Sequence, residues 1–223
     1  MNRGREMLSK VDSGPITEAE AAAIARSIAP KLTEYAQRYD VHKYPPAVYE
    51  ELKAAFRNLA LVERPEIERA LRWKFGHRAK LRIPEAHSRL IADLAAVWPT
   101  FIQHDLEDPH QICRFLLEKL KRPDAFVTIA FLTHLICGEC VPIIDQHNLR
   151  AINHFIGKVR EGWIGKSKPN CMGDVWLVKG FLQAVPAAWP LGDTERPDEI
   201  QLDRFLMMYG KAIKPTRSST AKC

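Results

Sequence analysis

The chain has 223 residues, 46% of them hydrophobic, enough for one sizeable core or two small lobes sharing a cleft, with no need of a disulfide framework. No run reaches the roughly 20 uninterrupted apolar residues of a membrane span, and Met1–Gly14 lacks the apolar stretch of a secretory signal, so a cytoplasmic protein is expected. The formal net charge of +6 suits a polyanionic partner, and Cys113, Cys137, Cys140, Cys171 and Cys223, an odd number, are expected to be reduced thiols.

Residues 1–14 and 215–223 lack apolar periodicity and read as flexible tails around one helical domain, 15–214. Thr17-Glu18-Ala19-Glu20 is a capping box opening an alanine-rich helix that Pro30 must interrupt or kink. Pro45-Pro46 precedes a second helix, with Val48, Leu52, Ala55, Phe56 and Leu59 on one face. A third runs from Glu66 to Phe75 and stops at Gly76; a fourth opens at Pro84 and runs towards Trp98-Pro99. Asp108-Pro109 caps a fifth, and the linker Lys121-Arg122-Pro123-Asp124 leads into the apolar helix Ala125–Cys137. Further helices are expected from Asp145 to Ile156 closed by Gly157, from about Asp174 to Val185, and from about Asp198 to Ile213. Period-two alternation is nearly absent, so the fold class is all-α.

The chemistry is concentrated in 126–150. A hydrophobic helix ends near Gly138, an apolar bridge (Val141–Ile144) follows, and Asp145 stands where the next helix begins. At an N-cap its carboxylate is held by backbone N–H groups and by the helix dipole, which favour the charged form and fix its direction. Such a group can stabilise a cation or orient a water, and it can equally be a structural cap. Gln146 faces the cleft or is a solvated first-turn residue; His147 supports Asp145, touches a phosphate, or packs in the first turn. His134-x-x-Cys137-x-x-Cys140 lacks a second ligand pair, and buried inert thiols account for it better than a metal does. Basic residues cluster as Lys74, His77, Arg78, Lys80 and Arg82, as Lys121 and Arg122, and as Lys158, Arg160, Lys166 and Lys168. They track phosphates if they share a face, and are a solvated coat if they do not. Trp73, Phe75 and His77 form a base-stacking wall or belong to the core.

Ile144-Asp145-Gln146-His147-Asn148-Leu149-Arg150, preceded by its apolar helix and bridge, resembles the catalytic segment of the helix-hairpin-helix DNA glycosylase superfamily. Asp203–Gly210 is similar to the last helix of divergent members. The resemblance implies a two-lobed helical bundle with a central DNA-binding cleft, the helix-hairpin-helix at about 109–157, and Asp145 as the catalytic residue. Gln146, His147, Trp73, Phe75 and His77 would then line or support the base pocket. Lys74, Arg78, Lys80, Lys121, Arg122, Lys158, Lys166 and Lys168 would contact double-stranded DNA. Two features depart from the family. The hairpin position, 121–124, has no glycine, and counting back about eighteen residues from Asp145, where lyase members carry a lysine, gives Val127. The implied activity is therefore that of a monofunctional DNA glycosylase: the base is flipped out and the N-glycosidic bond hydrolysed, leaving an abasic site. No metal or organic cofactor is needed, and the protein is expected to act as a monomer. The resemblance extends to base excision in DNA repair and to antiphage enzymes acting on hypermodified bases such as glucosylated cytosine. The alternative is a non-catalytic helix-hairpin-helix DNA-binding protein.

Overall fold

A computed structural model describes residues 14–190 and 195–213, with the side chain of Glu139 left aside. The expected tails therefore lie outside the described residues, save for Gly14. The helices are α1 (Glu18–Ile28), α2 (Leu32–Ala36), α3 (Pro46–Ala55), α4 (Arg64–Lys74), α5 (Glu85–Ile102), α6 (Pro109–Leu120), α7 (Phe126–Cys137), α8 (Gln146–Val159), α9 (Met172–Ala187) and α10 (Glu199–Ala212). No strand occurs among the described residues, and the fold is all-α. No helix among them is long and apolar enough to cross a membrane. The described residues divide into two compact units: 14–38, 146–168, 177–190 and 195–213 in the first, and 39–145 with 169–176 in the second.

Local chemistry accounts for several helix ends. Thr17 accepts from the Glu20 N–H while the Glu20 carboxylate accepts from the Thr17 N–H, closing the capping box of α1. Asp108 and Asp198 cap α6 and α10 through bonds to Gln111 and Gln201. The α4 helix ends where Gly76 takes a φ of +64°, and a Cβ there would sit 2.3 Å from the Lys43 side chain. Two helices outrun their expected stops. The α5 helix continues through Pro99 to Ile102, because burial of Trp98 and Phe101 holds a last turn that is short of one hydrogen bond. The α8 helix passes Gly157, and Arg160 just beyond its end is tied to Glu20 and to the carbonyls of Gly14 and Pro15.

In the first unit α8 packs on α1 and α10, and α10 on α2. Its core is aromatic: Phe155 stacks on Tyr209 with centroids 4.9 Å apart, and Tyr35 meets Tyr209 edge-on at 5.1 Å. Asn148, 2% exposed, donates to Asp203, and Arg150 donates to the Gly210 carbonyl, so polar bonds join α8 to α10 as well. The second unit is built around α7, which packs on α6, α4 and α3. Nine of the twelve residues of α7 are buried, and a helix covered on all sides needs the unbroken apolar character seen in its sequence.

Candidate active site

Two side chains of the second unit bond the backbone that leads to Asp145, and a third packs in the aromatic layer with them. The first is His134, on α7 and 6% exposed. Its Nδ1–H donates to the carbonyl of Val141, which can only accept, so in the neutral ring Nε2 is an acceptor and the Tyr49 hydroxyl donates to it at 2.6 Å. Burial pushes this imidazole down to about 4, against the opposing pull of the Val141 bond. The neutral tautomer is thereby locked. The second is Lys74, the last residue of α4, whose Nζ donates to the Ile144 carbonyl at 2.9 Å and lies 5.3 Å over the Phe131 ring. The third is Trp73. It stacks on Phe131 at 5.6 Å and on Tyr49 at 5.4 Å, completing an aromatic layer with His134.

The apolar bridge is held by this frame. Val141 and Ile144 are 0% exposed, and their carbonyls are the ones bonded by His134 and Lys74. Asp145 follows immediately, half-buried, and the next residue, Gln146, is the first of α8. A carboxylate whose preceding residues are pinned through both backbone and side chain can hold one direction against a reacting centre. The Lys74 amino group is bonded to the neighbouring carbonyl.

The remaining expected site residues fall into separate groups. Trp73 is core, 6% exposed, with its indole N–H directed at the Pro45 carbonyl. Phe75 and His77 gather with His87, which the sequence reading passed over. Phe75 stacks on His87 at 3.9 Å, and the two histidine rings lie 5.3 Å apart. Arg78 and Lys80 are exposed on the loop between α4 and α5. Lys121 is the turn between α6 and α7, left-handed at φ +53° where glycine was missing, and Arg122 faces Asp93 and Asp124 at 3.9 and 3.6 Å. In the first unit Gln146 is exposed and His147 half-buried, while Lys158 and Lys168 are exposed. The Lys166 carbonyl accepts from Asn153, which ties that loop to α8. Tyr49 carried no local signal; it is 85 positions from the histidine it bonds.

Among the described residues no group of three or more His, Cys, Asp or Glu side chains could hold a metal. His134 is committed to Tyr49 and Val141. Burial pushes the thiols of Cys113 and Cys137 up to about 11, so both are inert at neutral pH, whereas Cys140 is exposed, against the expectation of a buried thiol. Cys171, by contrast, is disulfide-bonded, against the expectation of reduced thiols throughout. Comparison with protein-family models, with curated proteins and with solved structures finds no match.

Proposed function

We propose that this protein is a monofunctional DNA glycosylase, in which Asp145 stabilises the cationic sugar and orients the water that replaces the base. One observation carries the reading: Asp145 follows a bridge pinned by His134 at Val141 and by Lys74 at Ile144, which gives the carboxylate a fixed origin. The resemblance assigns the helix-hairpin-helix to a stretch that includes the packed pair α6 and α7, and double-stranded DNA is the proposed partner. The substrate is a modified or damaged base flipped from the duplex. Hypermodified phage bases, glucosylated cytosine among them, belong in the panel beside the products of DNA damage. Lys74 acts in this mechanism as a hydrogen-bond donor to the Ile144 carbonyl, not as a nucleophile.

Purified protein incubated with duplexes carrying such bases is expected to leave alkali-labile abasic sites on one of them. Asp145→Asn keeps the size and most of the capping ability of the residue but removes its charge. It should lower base release by about a hundred-fold or more while leaving DNA affinity unchanged. Borohydride should trap no covalent complex; a trapped complex lost in Lys74→Met would replace hydrolysis with a lyase. Salt-dependent binding with no base released from any substrate would leave the non-catalytic DNA-binding protein.

A further inference from the structure

A second concentration of charge lies along α4 and the loop that follows it. Arg64, Glu68 and Arg72 follow one another at four-residue spacing and share one side of the helix. The loop after α4 folds back beside them: Arg72 bonds Glu68 at 2.7 Å and the Lys80 carbonyl at 2.7 Å. Two adjoining clefts of about 420 Å³ each result, with Arg64, Glu68 and Arg72 as their common wall. Arg82 and Leu81 line one, Arg69 and Arg78 the other.

The carboxylates at these clefts are already occupied. Glu68 is taken by Arg72 and Glu85 by Arg89, while Arg69 is paired with Glu51. Arg64, Arg78 and Arg82 are exposed, and their guanidinium groups make no hydrogen bond or ion pair among the described residues. Three free planar forks around adjoining clefts suit phosphate oxygens, which they can grip in pairs. Between Lys80 and Arg82 stands Leu81, 98% exposed, an apolar side chain with no core to enter. A small anion has no use for Leu81. A duplex does, because an apolar side chain flanked by cations that hold the backbone can press into a base step and loosen its stacking.

We infer that the α4 face and the following loop form a DNA-docking surface, with Arg64, Arg78 and Arg82 on backbone phosphates and Leu81 against the bases. This rests on the proposed DNA reading but not on catalysis, and it assigns Arg64 and Leu81 a part that the sequence pattern did not give them. The test is the binding of a short unmodified duplex to the full chain across a salt series. It compares wild type with the combined Arg64→Ala, Arg78→Ala, Arg82→Ala variant and with Leu81→Ala. The triple variant should bind at least about ten-fold more weakly at low salt, with the slope of log affinity against log salt smaller by about 2 to 3. Leu81→Ala should keep that slope and lose the fluorescence rise of a 2-aminopurine that reports unstacking. All four side chains are exposed, so thermal melts should coincide. An unchanged slope in the triple variant overturns the surface even if bases are excised. A changed slope without excision by wild type sinks the glycosylase and leaves the surface standing. If inorganic phosphate raises the melting temperature of wild type but not of the triple variant, while duplex affinity is equal in both, the clefts serve a small anion and the inference is wrong.

Discussion

Tyr49 and His134 show how far a single bond acts. The Tyr49 hydroxyl donates to the Nε2 acceptor of His134 at 2.6 Å, and Tyr49→Phe would strip that buried nitrogen of this bond at a cost of about 1 to 3 kcal/mol. The loss should appear as a lower urea midpoint with unchanged slope, and, if the proposed glycosylase reading holds, as weaker base release, since the same ring holds the Val141 carbonyl. An unchanged midpoint would mean that the hydroxyl contributes nothing to the frame. Part of this site was legible in the sequence: the position of Asp145 after an apolar bridge follows from residue order. The frame was not. His134 invited comparison with Cys137 and Cys140 because they are near in sequence, whereas its partner Tyr49 lies on α3. Trp73 could be placed only as core or as pocket wall, because an aromatic at helical spacing looks the same in either place. Its stacking on Tyr49 and Phe131 decides for the core.

At the scale of elements, the α8–α10 pair depends on one absent side chain. A Cβ on Gly210 would lie 1.9 Å from the carbonyl oxygen of His147, in the first turn of α8. Gly210→Ala should therefore destabilise the protein by about 2 to 3 kcal/mol, although alanine is the better helix former by about 1 kcal/mol. A thermal melt that rises instead would mean the two helices can separate without loss. The glycine was visible in the sequence but its reason was not, since close approach of two backbones leaves no periodic trace. Element boundaries were legible wherever a side chain caps its own helix, as at Thr17, Asp108 and Asp198. They failed where packing overrode a local stop. Pro99 and Gly157 both weaken their helices, but Trp98 and Phe101 in one case, and the Arg160 anchorage in the other, outweigh about 1 to 3 kcal/mol of unfavourable propensity.

For the whole molecule, the all-α class followed from periodicity, while the division of charge between structural pairs and free cations required coordinates. That division governs behaviour in acid. His134 is pushed by burial from 6.5 to about 4, so the fold favours its neutral form. The stability this represents is fully present above pH 6.5 and is lost as pH falls towards 4, an effect of about 3 kcal/mol. His77, His87 and His154 are lowered in the same direction, also chiefly by burial. Glu20 acts in a lower window. The Arg160 guanidinium holds its carboxyl at about 2 instead of 4.5, so its contribution is complete above pH 4.5 and disappears as pH falls towards 2. Partial solvent access limits it to about 1 kcal/mol. Urea unfolding of wild type should therefore weaken in two stages on acidification. Glu20→Gln should run below wild type and parallel to it through the upper stage, and the two should converge in the lower one. A wild-type stability that stays flat between pH 6.5 and 4.5 would mean that His134 is not held neutral, and the tautomer lock on the bridge before Asp145 would fall with it.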